Sequence, residues 1–330
     1  MMNKIKWGII GCGDVTELKS GPAFNKVNNS ELVAVMRRDT TKAADYAERH
    51  HVPKWYDDAD KLINDPCVNA IYIATPPSTH KYYTIAALNA GKPVYVEKPM
   101  SLDTAEAIAM TALAAEKNLK LSVAHYRREQ PKFKKIKQLL DANIIGDIRF
   151  CRLTFLRPAL SSEALKKETT LWRVKPAVSG GGLFHDLAPH QLDLMLWYFG
   201  DVNTATGIAG NQAGLYEADD IVSGSILFTS GVVFNGLWSF AASPGADTDT
   251  CEINGSAGKI SFSVFDHTTF TLTTIERTEV FSFEPLQHVQ QPMINKVVEF
   301  FRDEAANPCS GNDGVALMKL MEQFTAGRLR

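Results

Sequence analysis

The chain has 330 residues, 45% of them hydrophobic and 22% charged, and a formal net charge of -2. The length exceeds what one hydrophobic core usually sustains, so two domains are expected, and the ordinary composition excludes a fibrous or disordered chain. The near-neutral balance, without runs of like charge, gives neither nucleic acid nor an anionic membrane an electrostatic foothold, so the expected partner is a small molecule.

Cys12, Cys67, Cys151, Cys251 and Cys309 are scattered and form no CxxC pair, which argues against a disulfide framework and a zinc site; no metal is expected. MMNKIKWGIIGCG runs into an apolar stretch without a signal-peptide core, and no apolar run reaches the roughly 20 residues of a membrane span. A reducing cytoplasm is the expected location.

From residue 5 to about 124, short apolar strands alternate with helical stretches. Strands are predicted at 4–10, 32–36, 70–74, 93–97 and 121–124, and helices near 22–27, 40–50, 79–90 and 103–118. This is the βαβ rhythm of a parallel sheet. After 124 come a helix at 131–142, a strand at 148–156 and a longer helix at 183–199. The stretches IVSGSILF, VVFNGLWSF, TCEING, KISFSVF and TFTLTT then alternate with period two, separated by turns such as Thr229-Ser230-Gly231, and predict an antiparallel meander half covered by helices. The end is helical at 289–305 and 313–328. The division expected is 1–122 and 123–330.

Within the first half, the string from Trp7 to Thr16 ends a strand and precedes a helix. Gly11 and Gly13 permit a tight turn and close backbone approach to a pyrophosphate, making Gly11, Cys12, Gly13, Asp14 and Val15 the candidate phosphate loop. Thr16 replaces the third glycine of the fingerprint, which predicts looser packing of helix on strand. At the end of the second strand an acid would grip a ribose 2′-hydroxyl and an arginine would accept a 2′-phosphate. Here Met36 takes the acidic position and Arg37 and Arg38 follow, favouring NADP(H). NAD(H) is the alternative, with Asp39 on the ribose and the arginines solvated.

Lys98 follows the apolar Pro-Val-Tyr-Val strand, which places an ammonium at the sheet edge where open α/β sheets bind ligands. A salt bridge to Glu97 is the alternative use. Asp186 and His190 stand four apart and share one helix face, so the carboxylate can orient an imidazole suited to proton transfer. With Pro189 between them, Asp186 also suits an N-cap.

The segments ATPPSTH (74–80), AGKPVYVEKP (90–99) and SGGG (179–182) running into Asp186 and His190 occur in one order, and that order resembles the glucose-fructose oxidoreductase, inositol dehydrogenase and MocA family. The resemblance implies an α/β fold: an N-terminal Rossmann parallel sheet, then a C-terminal α+β domain with a large, mostly antiparallel open sheet. The exposed face of that sheet would join subunits as a homodimer or homotetramer, and the nicotinamide would lie at the domain junction.

It also implies hydride transfer between the nicotinamide and a sugar-like carbonyl or secondary alcohol (sugar, keto-sugar or polyol), with 36–38 most like NADP-preferring sugar or keto-sugar reductases. Lys98 would be catalytic, His190 the proton donor or acceptor, and Asp186 a substrate contact or the ring's support, with Asp193 its alternative. Thr75, Pro76, His80, Glu97, Trp172 and Arg173 would adjoin the cofactor, and Tyr126 and Arg127 the substrate. For His80 a helix start, and for Trp172 and Arg173 a core and a surface role, are alternatives; His125 and His185 read as structural. Two other functional classes are a non-redox enzyme using tightly bound NAD(P) for transient oxidation, in elimination or glycoside hydrolysis, and a non-catalytic dinucleotide sensor.

Overall fold

The structure, a computed structural model, describes residues 3–266 and 268–329. Two compact units emerge. The first comprises the described residues through Glu129 with Gln287–Met318, and the second comprises Gln130–Leu286 with the described residues from Lys319 on.

In the first unit, β1 (Ile5–Ile10), β2 (Ser30–Met36), β3 (Lys54–Tyr56), β4 (Ala70–Ile73), β5 (Val94–Val96) and β6 (Leu121–Val123) form one sheet ordered β3-β2-β1-β4-β5-β6. All its pairings are parallel. The central strands are buried almost without interruption because helices cover both faces. Strand order reverses between β1 and β4, which opens a crevice at their C-terminal ends. The three residues of β3 are too few to show periodicity, which is why it was not expected.

The looser packing expected at Thr16 is absent. Thr16 is fully buried, its hydroxyl donates to Gly13 O at 2.8 Å, and its own carbonyl accepts from Tyr46 Oη at 2.8 Å.

A single boundary at 122/123 is not how the compact units divide, because the chain returns. Helix Gln291–Phe301 buries Met293, Ile294, Val297, Val298 and Phe301, and the Phe301 ring lies 5.4 Å from Trp7. Lys120 Nζ donates to Phe300 O and Phe301 O, and Val123 N donates to Cys309 O. Burial of an amphipathic helix against a distant strand leaves no local signature, so the return is invisible in a sequence window.

In the second unit, β7 (Ile148–Pro158), β8 (Val202–Gly210), β9 (Ile221–Phe228), β10 (Val233–Ala242), β11 (Thr248–Gly255), β12 (Gly258–Phe262), β13 (Thr269–Thr274), β14 (Thr278–Ser282) and β15 (Gly327–Arg328) form a nine-stranded sheet. Its order is β14-β13-β12-β11-β7-β10-β9-β8-β15; only β10–β7 and β15–β8 are parallel. One face is covered: Trp238 packs on Phe184 and donates from Nε1 to Gln191 Oε1 at 2.6 Å, while Phe133 packs on Phe262. On the other face Phe150, Val233 and Leu227 align across three strands and stay exposed, as do Leu237 and Ile208.

β8 carries little strand signal in the sequence because it is built mostly of small and polar residues. A Cβ on its Gly207 would lie 2.4 Å from Phe324 O, so close approach of the last helix requires glycine there. The helix expected at 183–199 is two, Leu183–Leu187 and Pro189–Phe199, broken where Pro189 lacks an N–H. No helix among the described residues is long and apolar enough to cross a membrane.

Candidate active site

In the first unit the predicted residues gather at the C-terminal ends of β1, β2, β4 and β5. Gly11 has φ +93°, and a Cβ there would meet Thr75 Cγ2 at 2.7 Å and Thr75 N at 2.9 Å, so glycine lets the two loops flanking the crevice close up. Gly13 is different: a Cβ would find nothing nearer than Gly11 O at 4.0 Å. Its backbone is therefore open to a bulky anion, and the loop through Asp14 and Val15 fits a pyrophosphate. Cys12 is buried behind that surface, and burial pushes its thiol up to about 11.

The two arginines separate. Arg37 Nη1 donates to Cys12 O at 3.1 Å and braces the glycine loop. Asp39 caps helix Thr40–Arg49 by accepting from Lys42 N at 3.1 Å, an interaction that lowers its pKa. Arg38 is exposed and, with Met36, Asp58, Lys61, Tyr82 and Tyr83, lines a cleft of about 430 Å³.

Thr75 and Pro76 are half-buried beside the loop. His80 is fully buried, its ring nitrogens 2.9 Å from Pro99 O and 2.7 Å from Thr75 O. Burial lowers its pKa, and the neutral ring donates from one nitrogen, to Pro99 O or to Thr75 O according to its tautomer. His80 thus braces two site loops.

Glu97 is likewise buried: Oε1 accepts from Tyr72 Oη at 2.6 Å and from Gln290 Nε2 at 2.7 Å, and Oε2 accepts from Lys98 N at 3.1 Å. Burial holds the Tyr72 phenol well above its ordinary range, so it stays a donor. Glu97 thus fixes the backbone at Lys98, which is half-buried.

Gln290, missed in the sequence, belongs to the returning segment; its N–H donates to Lys19 O, and His288 Nδ1 lies 2.6 Å from Leu18 O. Tyr126 and Arg127 occupy the turn Tyr126–Glu129 after β6, both buried, with the guanidinium 5.6 Å over the phenol ring.

In the second unit, Gly180 (φ +90°) and Gly182 (φ +82°) turn the chain into helix Leu183–Leu187. A Cβ on Gly181 would strike the His185 ring at 2.1 Å, and one on Gly182 would strike Ala218 Cβ at 2.3 Å, which explains the glycine run. Burial depresses His185 to about 4, keeping it neutral as a structural histidine.

Asp186 lies within that five-residue helix and His190 in the first turn of the next, so the N-cap expected as the alternative for Asp186 is not formed; Ala188 stands there instead. Arg173 stacks 4.5 Å over Trp172 and donates from Nε to Asp186 Oδ2 at 3.1 Å. That pairs a predicted cofactor residue with the predicted carboxylate of the site. His190 is buried, its ring at 90° and 5.6 Å to Phe265; Asp193 is buried one turn further.

A doubly wound parallel sheet with a glycine-turn crevice and a lysine at the end of β5, and a second unit with Asp186 and His190 on successive helices, fit an NAD(P)-dependent oxidoreductase. The chain belongs to the GFO/IDH/MocA family: residues 5–125 match its oxidoreductase model with an NAD-binding Rossmann fold, and residues 133–261 match its C-terminal domain. It is 45% identical over 324 residues, 98% of this chain and 99% of the relative, to Oxidoreductase P35 of Formosa agariphila. It is 30% identical to trans-1,2-dihydrobenzene-1,2-diol dehydrogenase of Bos taurus, over 77% of this chain and 72% of that one. Its fold matches levoglucosan dehydrogenase in complex with NADH and levoglucosan (TM-score 0.84, 21% identity, 97% of this chain and 96% of that one).

Proposed function

We propose that the protein moves hydride reversibly between NADP(H) and a carbonyl or secondary alcohol of a sugar, keto-sugar or polyol. The observation that carries this is the half-buried Lys98 at the end of β5, its backbone held by a buried carboxylate. The names of two relatives, acting on levoglucosan and on a cyclic diol, supply the substrate class.

When bound, the dinucleotide gives or takes the hydride. Gly11 to Val15 present backbone to its pyrophosphate, with Arg37 and His80 bracing the loops. Lys98 donates to the substrate oxygen on which negative charge grows during reduction, where a preorganised donor contributes most. His190 delivers the proton in reduction and receives it in oxidation. Asp186, oriented by Arg173, contacts substrate hydroxyls or the ring.

For the cofactor, Arg38 and Lys61 are cations on the cleft, while Asp39 is engaged as a helix cap; this supports NADP(H), although the levoglucosan relative holds NADH. The apolar rows on the open sheet face support a homodimer or homotetramer.

A panel of aldoses, keto-sugars and polyols, assayed with both oxidised and reduced dinucleotides by nicotinamide absorbance, tests the reading. Lys98→Ala should lower kcat about 10²- to 10⁴-fold with dinucleotide affinity unchanged. Full turnover in that variant would sink the assignment.

A further inference from the structure

The turn Ser263 to Asp266, which follows β12, is held by two charged side chains outside the site described above. Lys132, at the start of helix Pro131–Asp141, is fully buried, and its ammonium donates to Ser263 O at 2.7 Å and Asp266 O at 2.5 Å. It also lies 5.3 Å from the Phe133 ring centre and 5.9 Å from that of Phe262. Asp249, on β11, takes the N–H groups of the same turn: its carboxylate accepts from Val264 N at 3.2 Å, from Phe265 N at 2.7 Å and from the Ser263 hydroxyl. A cation holds the carbonyls and an anion holds the N–H groups. Four residues without ladder pairing are thereby pinned.

What the turn presents is Phe265. Its ring is wedged between Phe155, at 5.1 Å, and the His190 imidazole, at 5.6 Å and perpendicular to it. The χ2 torsion of histidine is broad, so a helix backbone does not by itself set the imidazole's rotation; the groups packed against the ring do. A proton relay must hold its nitrogen within hydrogen-bond reach of the reacting oxygen.

We propose that Phe265 is a positioning residue for His190, and that Lys132 and Asp249 act through it as a clamp on the turn. The proposal rests on the reading of His190 as the proton relay. Mere core packing would not require a buried ammonium and a carboxylate to converge on one four-residue turn.

The test uses the full chain with isotope-labelled histidine rings and reads the ring resonance that disappears in His190→Gln. Phe265→Leu, which keeps bulk but loses the ring, should shift that resonance, and Asp249→Asn and Lys132→Met should shift it in the same direction. Phe265→Tyr should leave it near its original position. An unmoved resonance in Phe265→Leu overturns the positioning role. A shift in Phe265→Leu with none in Asp249→Asn overturns the clamp, and this arm stands if Lys132→Met does not fold.

In the turnover assay, Phe265→Leu should lower kcat about tenfold to a hundredfold, the scale expected for a misplaced catalytic group, with the dinucleotide KM unchanged; Phe265→Tyr should recover most of the loss. Unchanged kcat in Phe265→Leu also overturns the proposal. If His190→Gln itself retains full turnover, the reading of His190 fails, while the resonance arm still decides whether the turn holds the ring.

Discussion

The two sheets solve opposite problems. The parallel sheet of the first unit is covered on both faces, so its strands are continuous apolar runs and chemistry is pushed to the loops at their C-terminal ends. The nine-stranded sheet is covered on one face; its strands alternate, and the candidate site residues Asp186 and His190 stand on the helices of the covered side. A sheet sealed on both faces offers ligands only its edge, whereas a half-covered sheet leaves one face open.

That contrast can be broken at its strongest point by Trp7→Ala. Trp7 is fully buried, touches Phe24, Tyr95 and Phe301, and donates from Nε1 to Ser30 Oγ. The substitution should cost about 3–5 kcal/mol, read as a fall in the urea midpoint. A loss below about 1 kcal/mol would mean that the returning segment and the parallel sheet do not share one core.

The second unit answers to pH instead. His185 ordinarily titrates at 6.5 but burial depresses it to about 4 in the fold. The unfolded chain therefore binds a proton that the native chain refuses, so this contribution is complete above pH 6.5 and is lost as pH falls towards 4. A depression of that size corresponds to about 3 kcal/mol. His185→Gln should flatten the stability profile over that window; an unaltered slope would assign it to other groups.

Cofactor choice sharpens the reading of the parallel sheet's edge. Hydrogen bonds to charged groups contribute about 1.5–3 kcal/mol, so Arg38→Ala should weaken NADP(H) relative to NAD(H) about tenfold to a hundredfold in a binding titration. Arg37→Ala should weaken both dinucleotides alike, because Arg37 holds the loop. Equal effects from both variants would remove the distinction.

The smallest effect on stability is expected at the open face. Leu237→Lys should move the unfolding free energy of the monomer by no more than about 0.5 kcal/mol yet lower the mass seen by light scattering. An unaltered mass would place assembly elsewhere.

The helical and strand rhythm, the glycine turn and the position of Lys98 were legible because each depends on neighbours in the chain. A run such as Pro-Val-Tyr-Val followed by Glu-Lys-Pro marks a buried strand ending in a charge without reference to anything remote. The division of labour between Arg37 and Arg38 was not legible, since it turns on where the Cys12 carbonyl sits. Nor was the pairing of Asp186 with Arg173. Lys132 did leave one trace: it shares the apolar register of Ile136 and Leu140, the spacing of a buried helix face, and a lysine in that register signals an internal partner. Gln290 left none.

The sequence by itself determined the two sheet types, the family and the residues available for chemistry, because hydrophobic periodicity and turn residues act locally. Only the tertiary structure decided their uses: Glu97 and His80 as braces, Arg38 as the outward cation, Phe265 against His190. Those roles depend on hydrogen bonds and ring contacts between residues such as Glu97 and Gln290, or Lys132 and Ser263, that meet only after the chain has folded back on itself.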